Sequence, residues 1–244
     1  MIVLLTDFGR EGPYVGQMTA VLHRMAPEVA VVDLMADAPP NDPKMSAYLL
    51  AAYGGEFPPG TVFLCVVDPG VGGPRAPGYM ELDGKFFVGP DNGLFEIVDR
   101  RAAGRGIWKD ILWHPAELSA SFHGRDLFAP VAARLARGMP VEARMRERDR
   151  SAYRDWPDDL HAIVYIDAFG NAMSGLRAAV MSQQAVLHVN GHRIGSARTF
   201  GDVSPGVPFW YKNANGLVEI AINRGRADRV LGLSIGTEFS ASGV

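Results

Sequence analysis

A single cysteine in 244 residues leaves no partner for a disulfide within the chain and no thiolate set for a metal. Cys65 lies in the apolar run 61–67 and reads as a buried strand thiol. No apolar run approaches the roughly 18 residues that a bilayer-spanning helix needs. The opening MIVLLTDFGR has no basic stretch ahead of its short apolar segment, so it reads as a first strand rather than a signal peptide, and a cytoplasmic protein is expected. Charge of one sign is also missing. With 24 basic and 27 acidic residues the net charge is -3, which gives no footprint for nucleic acid or anionic lipid and favours a small-molecule partner. Three motifs are absent as well: G-x-G-x-x-G, G-x-x-x-x-G-K-[ST] and H-E-x-x-H. Their absence argues against a phosphate-cradling loop and a zinc protease helix. The Asp-Phe-Gly string at residues 7–9 has no kinase catalytic loop ahead of it.

What remains is nearly half apolar, enough to bury a sizeable core. Short β-rich runs alternate with helical patterns in the first part: strands at 2–5, 29–34, 61–67 and 85–88, and helices at Tyr14–Met25, 44–53 and 125–137. That alternation predicts an α/β, three-layer domain with a mostly parallel sheet over residues 1–145. The stretch 142–155 carries five arginines and little apolar periodicity, as an exposed boundary would. Short strands at 162–166, 184–189, 208–212, 217–222 and 230–234, with a hairpin signal at Asn190-Gly191, predict a smaller all-β barrel over residues 146–244.

Three segments of the first part end a strand on an aspartate beside a glycine: TDFG (6–9), VDPG (67–70) and PDNG (90–93). In an open parallel sheet such carboxylates converge on the edge where ligands bind, although Asp and Gly also simply punctuate turns. Asp7 resembles in placement an acid that grips a ribose diol, and without a phosphate motif a nucleoside is the consistent ligand. The loop DPGVGGPR (68–75) carries Asp68 and Arg75, as functional groups or as a structural ion pair. His123 stands just ahead of the last helix of this part. In YIDAFGN (165–171), Phe169 offers a stacking face and Asn171 a donor and an acceptor for a base edge, and an Asx turn is the plainer alternative.

Taken in order and spacing, TDFG, VVDPGVGGPR, GPDNG, SFHGRD and YIDAFGN resemble the S-adenosylmethionine hydrolase family, or hydroxide adenosyltransferases, relatives of the fluorinating and chlorinating enzymes. The resemblance covers essentially the whole chain. It implies hydrolysis of S-adenosyl-L-methionine to adenosine and L-methionine, without metal or cofactor, in a homotrimer with active sites between the N-domain of one subunit and the C-domain of the next. Asp68, Arg75 and His123 match the water-activating trio. Asp7 matches the ribose contact, Asp167, Phe169 and Asn171 match the motif reaching the methionine ammonium and adenine, and Phe200 with Arg224 completes the adenine pocket. Phe8, Asn92, Met173 and Glu219 are counted with these substrate contacts. Two positions depart from the pattern: Met173, where an aromatic can stand, and Ala214, where a serine is usual. The alternatives are a halide adenosyltransferase, a non-catalytic S-adenosylmethionine or adenosine binder and, third, a metal-dependent hydrolase.

Overall fold

Apolar side chains fill residues 2–5 and form β1 (Ile2–Thr6), whose five residues are all buried. This computed structural model describes residues 1–147 and 149–243, so Arg148 of the arginine-rich stretch lies outside the described residues. The chain divides into two units, Met1–Arg154 and Asp155–Val244.

In the first unit β1 leads to α1 (Tyr14–Met25), β2 (Val31–Met35), α2 (Pro43–Tyr53), β3 (Val62–Val66), β4 (Pro77–Leu82), β5 (Lys85–Pro90), α3 (Glu96–Arg101), β6 (Ile107–Ile111), α4 (Ala129–Ala136) and β7 (Ala143–Met145). Asp42 caps α2 by accepting the Met45 N–H, with Pro43 pre-set at its first turn. The seven strands form one sheet in the order β2-β1-β3-β5-β4-β6-β7. Strands β2, β1, β3 and β5 run parallel, and β4, β6 and β7 extend the sheet antiparallel. Ile2, Leu4, Val62, Leu64 and Val66 face α1 and α4 in a single apolar cluster. The alternate residues face the other way, where Phe63 and Phe87 stack at 4.9 Å and meet Phe57 and Phe95 next to α2 and α3. Both faces of the sheet are covered, which gives the three-layer α/β fold that the alternating pattern predicts.

The order of the strands matters for function. From β1 the chain steps to β2 on one side and then crosses to β3 on the other, so the carboxyl ends of β1 and β3 flank a topological switch point. Ligands of open α/β sheets sit at such a crevice.

The second unit contains β8 (Leu160–Ile166), β9 (Ala172–Arg177), β10 (Val186–Val189), β11 (His192–Ile194), β12 (Pro208–Lys212), β13 (Leu217–Ile222), a helical turn α5 (Ala227–Val230) and β14 (Ser240–Ser242). Its antiparallel sheets are β12-β13-β9-β8 and β11-β10-β14. Bridges between Ser196 and Trp210 and between Ala162 and Glu238 join them at both seams, so the ladder closes into a seven-stranded ring. Ile163, Leu187, Ile194, Trp210 and Ile220 meet in the core of that ring. Asn190 and Gly191, both at positive φ, make the expected hairpin turn between β10 and β11.

One expected strand does not form. Val230 ends α5 and residues 231–234 follow it instead, because Asp228 binds the Arg226 guanidinium and its N–H donates to the Gly170 carbonyl, fixing a helical turn. Leu231 and Leu233 drop into the core from that turn and imitate a strand's period of two. Among the described residues no helix is long and apolar enough to cross a membrane.

Candidate active site

Asp7 follows β1 by one residue and Asp68 follows β3 by two, which brings both to the switch point. They line one cavity of about 300 Å³ together with Phe8, Tyr14, Asn41, Phe122 and His123. The third strand-end acid behaves differently. Asp91 pairs with Arg146, which also binds Asp110, and so serves the antiparallel side of the sheet.

Arg75 ties the site together. Its Nε and Nη2 reach both oxygens of Asp68, at 3.0 Å and 2.5 Å to Oδ2, and the same Nη2 lies 2.8 Å from His123 Nδ1. The pair is nearly dry, with side-chain exposures of 10% for Arg75 and 4% for Asp68. Phe128 lies 5.4 Å beneath the guanidinium. Arg75 does not itself line the cavity; it holds two side chains that do. The loop closes this distance because Gly72, at φ +76, packs where a β-carbon would stand 2.7 Å from the Ala120 carbonyl oxygen.

A guanidinium has no lone pair to offer, so Arg75 donates and His123 Nδ1 accepts. The ring is then neutral with its proton on Nε2. Burial, followed by the positive charge of Arg75, pushes the His123 pKa down, which favours this neutral form. Burial pushes the Asp7 carboxyl up; the backbone N–H of Asn41, 2.8 Å from its Oδ2, opposes this, and the charge of Asp68 adds to it. Asn92 is turned onto backbone, its Nδ2 donating to the Val67 carbonyl and its Oδ1 accepting from Leu94 N–H, and it lines neither this cavity nor the next.

A larger cavity of about 770 Å³ lies in the second unit and is lined by Asp167, Phe169, Asn171, Met173, Phe200, Glu219 and Arg224. Asp167 makes the Asx turn: Oδ1 accepts from the N–H groups of Phe169 and Asn171, and Oδ2 from Asn171 Nδ2. This turn leaves Phe169 76% exposed. Phe200 packs edge-on to Phe209 and Tyr211. Glu219, 2% exposed, accepts from Tyr211 OH at 2.6 Å and Asn213 Nδ2 at 3.0 Å, and burial raises its pKa. Asn213 in turn accepts from Asn215 and Leu217 N–H, so Glu219 braces the turn that carries Ala214. Sequence reasoning missed Tyr14, Asn41, Tyr211 and Asn213. Only Asn41, in the loop after a strand, carried any local signal. Among the described residues no group of three or more His, Cys, Asp or Glu side chains is placed to hold a metal ion.

The pattern of the SAM hydroxide adenosyltransferase N-terminal domain matches residues 2–144, and that of the C-terminal domain matches residues 161–240. The chain belongs to this family. Among relatives of the family, an (R)-S-adenosyl-L-methionine hydrolase of Thermus thermophilus is 41% identical over 253 residues, covering 96% of both chains. A protein of the same name from Salinispora tropica is 34% identical over 250 residues, covering 96% of this chain and 95% of its own. A solved structure of an uncharacterized conserved protein from Thermotoga maritima matches with a TM-score of 0.88 at 30% identity, over 99% of this chain and 100% of that one. The structure of a conserved hypothetical protein from Thermus thermophilus matches with a TM-score of 0.77 at 36% identity, over 99% of each.

Proposed function

We propose that this chain hydrolyses (R)-S-adenosyl-L-methionine to adenosine and L-methionine, at sites that the first unit of one copy and the second unit of the next build together in a homotrimer. The observation that carries the reading is the meeting of Asp68, Arg75 and His123 beside Asp7 at the β1/β3 switch point. The names of the relatives support the substrate.

The sulfonium is already a good leaving group, so no acid is needed on the departing side. The chemical task is to aim an attacker at ribose C5′. Water, with a pKa of about 15.7, gains from being held in line with the C5′–S bond. His123 Nε2–H donates to one lone pair of the water, and Asp68 accepts one of its protons. The other lone pair is left for carbon. The O–C5′ bond forms as the C5′–S pair returns to sulfur, methionine departs as a neutral thioether, and the surplus proton passes to Asp68 and then to solvent. Arg75 is a positioning residue that keeps Asp68 and His123 in register. Asp7 accepts from the ribose hydroxyls, and Phe169 offers its exposed ring to the adenine.

The test is to incubate the purified protein with S-adenosylmethionine in ¹⁸O-water and separate the products. The expected result is methionine together with adenosine labelled at the 5′-oxygen. No methionine release, unlabelled adenosine, or 5′-halo-5′-deoxyadenosine on adding chloride or fluoride would each overturn the reading.

A further inference from the structure

Three aromatic rings line the same cavity as Asp7, Asp68 and His123, and the proposed chemistry gives them no task. Phe8 and Tyr14 lie 5.7 Å apart with their planes inclined at 52°. Each stands near-perpendicular to Phe122, at 5.8 Å and 5.4 Å. Arg125 already sits 5.1 Å from the Phe122 ring, which makes Phe122 the support and leaves Phe8 and Tyr14 as the rings available to a ligand. Tyr14 is 49% exposed, an unusual place for a ring whose only purpose is to fill a core.

We infer that Phe8 and Tyr14 form a cation-selective wall that recognises the sulfonium of the substrate by cation–π attraction and discriminates against the neutral thioether. This rests on the hydrolase reading above. The physical basis is the small size of the cavity. An attacker on one side of C5′ requires the sulfur on the other, one bond beyond carbon. In a space of about 300 Å³ that Phe8 and Tyr14 line together with Asp68 and His123, an S-methyl cation one bond beyond C5′ comes within reach of these rings. Aromatic faces carry the negative part of the ring quadrupole, and a partly desolvated cation over them gains roughly 0.5–2 kcal/mol, a factor of about 2 to 30 in affinity. Charge balance agrees: Asp7 brings a carboxylate that no cationic side chain pairs in the cavity lining, Arg75 offsets Asp68, and His123 is held neutral. Once the C5′–S bond breaks, the attraction disappears, which would let the methionine leave.

The experiment uses the full chain and two unreactive nucleosides. S-adenosylhomocysteine is a neutral thioether at this position, and sinefungin carries an ammonium in place of the sulfonium. Calorimetry should give the parent protein a preference for sinefungin. Tyr14→Leu combined with Phe8→Leu should reduce that preference by roughly 5–30-fold, mainly through weaker sinefungin binding. Tyr14→Phe should keep it. Replacing Phe8 by its mono-, di- and trifluorinated forms, which keep the shape and drain the ring face, should lower sinefungin affinity stepwise and leave S-adenosylhomocysteine unmoved. An unchanged ratio in the leucine variant, or equal responses of both ligands along the fluorinated series, overturns the inference and leaves the hydrolase reading standing. If the parent binds neither nucleoside, both fall together.

Discussion

Arg75 fixes what His123 can be. Because Nδ1 receives an N–H, protonating the ring would set two donors against each other, and burial opposes that charge as well. The folded chain thus binds this proton less readily than the unfolded one. Stability is full above the ordinary histidine value of about 6.5 and declines as pH falls below it. Turnover should follow the same proton: kcat/KM is expected to hold through the ordinary histidine range and to fall only at lower pH, and His123→Gln should remove that inflection. A pH–rate profile of parent and variant checks this. Asp68→Asn keeps the shape but weakens the proton acceptor, so kcat should drop roughly 10²–10⁴-fold with nucleoside binding retained by calorimetry. Arg75→Ala is a harsher change. It strands the Asp68 charge in a dry site and should cost about 3–5 kcal/mol in urea unfolding as well as turnover.

The loop 68–75 and its neighbour at 119–123 bring together groups that lie 48 positions apart in the chain. Gly72 makes that approach possible, since its φ of +76 and its distance to Ala120 both exclude a β-carbon. Gly72→Ala should cost about 1–2 kcal/mol for the backbone alone. By displacing Arg75, it should also lower kcat by about 10²-fold. Gly138→Ala is the control: φ is +66 there but the surroundings are open, so thermal unfolding should shift and kcat should not. The same pair of loops explains what the sequence can reveal. β1 and β3 are legible as unbroken apolar runs, and α1 by its own apolar stripe. β4, β6 and β7, with runs such as PGYMEL and IWKDI, are not, because they owe their place to the ladder and to Arg146 bridging Asp91 and Asp110. Within the site no local pattern links residue 75 to residue 123, and only the five motifs in order point to both. Asn41 contributes a backbone N–H, and Tyr211 and Asn213 act through Glu219. Roles of these kinds leave no mark on residue type.

Each unit has a core of its own, and each carries one of the two cavities. If complete sites combine two copies, two inactive variants should rescue one another. Asp68→Asn damages only the first unit and Asn171→Ala only the second. Each mixed trimer formed by refolding the two together should contain one interface with both halves intact, so random mixing of equal amounts should regain roughly a quarter of the parent activity. Product analysis before and after mixing reads the result, and no recovery would indicate that each copy builds its site alone. The closed ring of the second unit has a separate consequence. Bonded at both seams, it offers few free backbone rims onto which a stray strand could add, whereas the first sheet ends openly at β2 and β7. Any tendency of this protein to polymerise through its backbone should therefore begin in the N-terminal half, and a lysine or proline on those two borders is where solubility could be improved.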